Sequence, residues 1–217
     1  MYLFSVLIIP CFLIWYVSAF TEFKQKSYIP PVVIGLVTGC IFCFIKAFFF
    51  LSSHIWTTSV SNAFWHIFTS DALAAIFIFA AWIGACIKID RWEYKLSMFL
   101  PLVLSFYAIY IPYDVISNRF NNTAFILFIK PVMYIFMCWL IQELIYLGWK
   151  KFRNGDRVAA IIQWALSVIP LILPSFSEAY WTLHQYSFIP YVIAAVMGIL
   201  SIGGYILFQN RSLTEEN

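Results

Sequence analysis

Charge is scarce in this sequence. Only 11% of its 217 residues are Asp, Glu, Lys or Arg, less than half of the roughly 25% that an ordinary soluble domain carries. A water-soluble fold of this length needs a charged surface that so few residues cannot supply. The net charge of +3 is too small to point to a nucleic-acid partner. The cysteines Cys11, Cys40, Cys43, Cys86 and Cys138 all lie inside apolar runs, where a thiol acts as a small hydrophobe and a disulfide framework has no loops to staple. Cys40 and Cys43 spell C-x-x-C, but in mid-run, without the helix terminus or βαβ setting that makes the motif a redox site. H-E-x-x-H, G-x-S-x-G and the P-loop are missing too, so the familiar hydrolase and nucleotide motifs are absent and no cofactor is expected.

What fills the chain instead is apolar side chain, 63% of the total. It falls into runs at 2–20, 31–51, 72–88, 96–113, 123–148, 158–176 and 191–208. At 1.5 Å rise per residue, runs of this length cross a hydrocarbon core about 30 Å thick. The expectation is an all-α, polytopic membrane bundle of about seven transmembrane helices. It forms a single transmembrane domain over 1–208, followed by a short polar cytoplasmic tail at 209–217. Breakers mark the connections: Pro30 and Pro31, Asn121 and Asn122, Asn154 and Gly155, and Pro190.

Basic residues resist translocation, so their distribution over the loops gives the orientation. Lys24 and Lys26 lie in the first loop, Lys88, Arg91 and Lys95 in the third, and Lys150, Lys151, Arg153 and Arg157 in the fifth, with Arg211 in the tail. The second and sixth loops have none, and the fourth has only Arg119. This alternation predicts the N-terminus outside and the C-terminus inside. The first run resembles a secretory signal around "VSAF", but it has no basic n-region. Its removal would also leave "TEFKQK" on the wrong side, so a retained anchor is expected.

The stretch at 52–71 has helical periodicity. Trp56, Val60, Phe64 and Phe68 form one stripe, and Thr58, Asn62, His66 and Ser70 form another two positions away, 200° around a helix. This pattern predicts an interfacial amphipathic helix, aromatic face down, in the outer leaflet. His66 lies on its wet side, and Asp71 points about 140° away from it.

Two lysines fall inside spans, Lys46 in "FCFIKAFFF" and Lys130 in "FILFIKPVM". They lie about 7 Å and about 10 Å below the outer ends of their runs. Lys130 is placed to snorkel, because side chains lean toward a helix's N-terminal end. Lys46 leans toward the membrane centre and is the better functional candidate. The same half holds Asp71, Asp114 and Glu178, with His54, His66 and His184 and the row Tyr107, Tyr110 and Tyr113. Three acids facing Lys46, Lys130 and Arg119 make this layer nearly neutral. The expected ligand-binding set is Lys46, His66, Asp71, Asp114, Lys130, Glu178 and His184, arranged as a polar, outward-facing vestibule. In the inner half, Glu143 and Gln163 are placed to hydrogen-bond across the bundle. Kinks are expected at Pro131, Pro170 and Pro174. His54 and His66 are about 18 Å apart along one helix, so no metal site is expected from the three histidines.

The layout resembles that of PrsW-type intramembrane metalloproteases. The features that carry the likeness are "FTEFKQKSYIP" after the first span, a basic "LGWKKFR" after the fifth and "IPLILPSFSEAYW" closing the sixth. That family's paired glutamates, Phe-to-Glu and His-to-Asp motifs correspond here to "SDALAA", "FYAIYIPYD" and "PSFSEAYW". The only paired glutamates, Glu215 and Glu216, are in the tail. The resemblance therefore implies a catalytically silent relative. Together these features predict a non-enzymatic binding or partner subunit of the inner or plasma membrane, with the lipid bilayer and a membrane-protein partner as its contacts. A transporter or capture component for a small anionic solute is the second expectation, and a membrane-embedded hydrolase the third.

Overall fold

The computed structural model describes residues 2–19, 28–49, 59–87, 92–117, 125–184 and 187–215, all of them helices and short connections. Lys24, Lys26, His54, Trp56, Thr58, Lys88, Arg91, Arg119 and Asn121 lie outside the described residues. The helices are α1 (Tyr2–Ala19), α2 (Ile29–Phe49), α3 (Val60–Cys86), the short α4 (Trp92–Ser97), α5 (Phe99–Ser117), α6 (Lys130–Arg153), α7 (Arg157–Leu166), α8 (Val168–Leu183) and α9 (Ile189–Glu215). A single π turn, Phe125–Ile129, leads into α6.

Among the described residues, five stretches are long and apolar enough to cross a membrane: Ile29–Phe48, Val60–Cys86, Lys95–Ser117, Phe125–Arg153 and Arg157–Leu183. Two shorter apolar helices, Leu3–Ser18 and Ile189–Gly204, accompany them. The chain is a multi-pass helical membrane protein. Its exposed large side chains, such as Phe44, Phe48, Ile76, Ile83 and Ile199, would be a liability in water and are ordinary in lipid.

Local chemistry sets the helix boundaries. Pro30 and Pro31 open α2, where the missing N–H groups have no intrahelical partner to lose. Pro131 cannot donate to the carbonyl four residues back, and the wider π turn just before it accommodates the ring. Pro170 acts similarly within Arg157–Leu183, whereas Pro174 lies inside α8 without interrupting it. Pro170 leaves the carbonyl of Leu166 without its donor, and the helix breaks at Ser167, where α7 ends and α8 begins. The turn between α6 and α7 needs Gly155, which sits at φ +86°. Asp156 then caps α7 by accepting from the Ala159 amide at 3.1 Å.

Residues 60–71 have the expected helical period but form the first turns of α3, continuous with the crossing, and not the separate helix that their stripes predict. No glycine or proline interrupts the chain until Gly84, so nothing bends the helix where the polar stripe ends.

α5 and α6 are the central pair, buried along most of their length, and the other helices surround them. α2 lies against α5 through Gly35 and Gly39, a small-x-x-x-small face. A β-carbon on Gly35 would collide with Ser105 Oγ and the Leu102 carbonyl, and one on Gly39 would come within 3.0 Å of the Phe106 carbonyl. α3 packs on α8 through Ala63, Ile67, Asp71 and Ala74. These approaches bring the C-terminal ends of α2, α5 and α8 and the N-terminal parts of α3 and α6 to one end of the bundle.

Candidate functional site

At that end, charges of alternating sign form a chain. Lys46 on α2 meets Asp114 Oδ1 on α5 at 3.1 Å. The second carboxylate oxygen, Asp114 Oδ2, takes the Lys130 ammonium from α6 at 2.6 Å. Lys130 also reaches Glu178 Oε2 on α8 at 2.8 Å. Lys46 donates to the Tyr110 hydroxyl at 2.7 Å and lies 4.6 Å from the centre of its ring, a cation–π contact. The order Lys46, Asp114, Lys130, Glu178 thus joins four helices.

Asp71 brings in the fifth. It lies 11 residues into α3, about 16 Å below the helix start. There it is buried and bonded to neutral hydroxyls: Tyr134 donates to Oδ1 at 2.9 Å and Ser175 to Oδ2 at 2.5 Å. Ser70, its neighbour in sequence, places its Oγ 3.4 Å from the Tyr110 hydroxyl. Tyr110 therefore links the Asp71 turn of α3 to Lys46.

The arrangement is nearly dry. The side chains of Asp114 and Lys130 are 5% and 6% exposed, while those of Lys46 and Glu178 are 14%. Attraction between unit charges 4 Å apart at an effective dielectric of 20 is about 4 kcal/mol. Taking each ion out of water costs several kcal/mol. The two terms nearly cancel, so the chain adds little net stability, although removing any one member would leave a stranded charge. Such groups at membrane depth are expensive and are first suspected of function. The π turn immediately before Lys130 is a second feature common at functional sites.

Five of the seven expected ligand-binding residues, Lys46, Asp71, Asp114, Lys130 and Glu178, are brought together. His66 and His184 are not. His66 is exposed on α3, on the side away from buried Asp71. His184 caps α8, exposed, with its ring stacked on Tyr180 at 4.7 Å. Lys130 does not snorkel: two carboxylates hold it inside the bundle, and it is as central as Lys46. Asp71 lies well inside α3, not at the start of an apolar crossing. The expected bond between Glu143 and Gln163 is not formed, and Glu143 instead lies against Gly204 of α9.

Tyr134 and Ser175 were not singled out by the sequence pattern. Tyr134 stands one turn after Lys130 and Ser175 three residues before Glu178, so each shares a helix face with a charge that is itself in the site. Among the described residues, no three His, Cys, Asp or Glu side chains are placed to share a metal ion. Comparison with protein families, characterised proteins and solved structures finds no match to this chain.

Proposed function

We propose that this multi-pass membrane protein is a non-catalytic binding component that receives a ligand or partner subunit at the polar end of its bundle. The alternating chain from Lys46 to Glu178 carries the reading. Both lysines are already engaged by carboxylates, so neither is available as a nucleophile or base without breaking the chain. The least covered members are its two ends, and they have opposite signs. A group carrying both charges, set against Lys46 at one end and Glu178 at the other, matches that polarity. The PrsW-like layout without the family's motifs supports the same reading, a relative that binds without cutting.

The opposite end of the bundle carries Lys150, Lys151, Arg153 and Arg157. The positive-inside bias supports an inner or plasma membrane orientation with the N-terminus outside, the C-terminus inside and the polar end outward. Reporter fusions at Gly155 and after Glu215 test this, and an exterior signal at either would reverse the orientation.

The second reading, a transporter or capture component for an anionic solute, is favoured by the π turn and by the break between α7 and α8, since interrupted helices line many transport sites. It requires the anion to displace Asp114 from a lysine. Melting the purified chain with phosphocholine, inorganic phosphate or choline separates the two. Stabilisation greatest with phosphocholine, and lost in Lys46→Ala and in Glu178→Gln, supports the two-charge site. Stabilisation by phosphate alone favours anion capture. Chelator-sensitive cleavage of a membrane peptide would refute both.

A further inference from the structure

The half of the bundle remote from the ion-pair chain holds a carboxyl group without a partner. Glu143 lies 13 residues beyond Lys130 on α6, about 20 Å farther along the axis. The residue is 9% exposed, and its Oε1 is enclosed with no hydrogen-bond partner. Its Oε2 presses on Gly204 of α9, so closely that a β-carbon there would collide with it.

Gly204 ends a seam of small residues, Ala194, Gly198 and Ser201, along which α9 lies on α6. Gly198 touches Phe136, and Ser201 donates to the Phe136 carbonyl at 3.2 Å. The seam accounts for the close approach of the two helices but not for a carboxyl group at its end. Gly203, beside it, has nothing within 4 Å of where a β-carbon would stand, so no side chain covers the helix surface next to the seam there.

The ionisable side chains on the surrounding elements do not compensate this group. On α6 those nearest it along the chain are Cys138, Tyr146, which is exposed, and Lys150, Lys151 and Arg153 near the helix end, and α4, which also packs on α6, brings Lys95. α1 contributes Tyr16, which accepts from Gln142 Nε2 at 3.2 Å. α7 begins with Arg157, and Glu178 of α8 belongs to the distant chain. α9 offers only Tyr191 between Ile189 and Gly204.

A carboxylate with neither cation nor donor is strongly disfavoured in hydrocarbon, and an isolated carboxyl escapes that penalty by taking up a proton. We propose that Glu143 is a proton-binding carboxyl at the α6–α9 seam, reached from the lipid phase, and therefore a modification site for lipid-soluble carbodiimides. In that reaction the acid proton moves to one carbodiimide nitrogen while the carboxyl oxygen bonds to the central carbon. The resulting O-acylisourea rearranges to a stable N-acylurea, so the reagent adds whole and nothing leaves. The site is independent of the reading of the polar end.

The full chain in liposomes is treated with N,N′-dicyclohexylcarbodiimide, and the adduct is located by peptide mass spectrometry. Glu143 is expected to be the principal labelled carboxyl, with loss of that label in Glu143→Gln. A water-soluble carbodiimide is expected to spare it. The neutral, isosteric Glu143→Gln variant is expected to keep the wild-type melting temperature, because no ionic contact is removed. Absence of the adduct at Glu143, equal labelling by the water-soluble reagent, or a clear fall in the melting temperature of Glu143→Gln would each overturn the proposal.

Discussion

Replacing Lys130 by methionine removes the central charge of the alternating chain while keeping an unbranched side chain of similar length. Asp114 retains Lys46 at 3.1 Å, but Glu178 loses the ammonium 2.8 Å away and is left as a stranded carboxylate. Removing one partner of a buried pair costs about 3–5 kcal/mol. Lys130 is so little exposed that solvent screening barely discounts this figure. A chain of this size loses about 2–4 °C of melting temperature per kcal/mol, so the expected fall is about 6–20 °C. The assay is thermal unfolding of the detergent-solubilised protein followed by tryptophan fluorescence. The decisive control is Lys130→Met with Glu178→Gln, which removes one charge of each sign. Because a buried pair exchanged for neutral groups is often close to neutral in stability, the double variant should recover most of the loss. A single variant within about 1 kcal/mol of wild type, or a double variant no more stable than the single, would refute the account of the chain as mutually compensating buried charges.

Asp71→Ala leaves the Tyr134 and Ser175 hydroxyls without their acceptor and is expected to cost about 2–4 kcal/mol in the same assay, whereas Asp71→Asn, which keeps an acceptor in place, should cost clearly less. Gly35→Ala drives a methyl group into the Leu102 carbonyl and is expected to cost about 1–3 kcal/mol by prying α2 from α5. Gly84→Ala meets nothing within 4 Å and should be neutral or stabilise by up to about 1 kcal/mol through helix propensity, so paired melting curves test whether the surroundings of each glycine decide the sign. Gly155→Ala also has open space around it, yet the position sits at φ +86° and its expected loss is about 1–2 kcal/mol from backbone strain alone.

An ionisable residue stands out in an apolar run because almost nothing else there is charged, which is why Lys46, Asp114, Lys130 and Glu178 are legible as candidates from the amino-acid order alone. The membrane also explains why they must meet. Each would be costly alone at depth, so the helices that carry them are stable together only in a packing that pairs them. What the sequence does not reveal is which helices are neighbours. α2 meets α5, and α3 meets α8, across gaps in the chain that no local pattern encodes. Part of that pairing is nevertheless written in small residues, since Gly35 and Gly39 present one bare face to α5.

The rotation of α3 is written there as well. Five residues separate His66 from Asp71, about 140° on a helix, so turning Asp71 toward Tyr134 necessarily turns His66 outward. Taking both as ligands is therefore geometrically inconsistent with a single inward-facing site, and burial of Asp71 resolves the choice. The partner hydroxyls are harder to see because serine and tyrosine are common in membrane helices and become informative only one turn from a charge. Tyr134 after Lys130 and Ser175 before Glu178 meet that condition, and both donate to the same carboxylate. Fold and site are consequently one problem here: the five helices are positioned by the same charges and hydroxyls that make their polar end a candidate for binding.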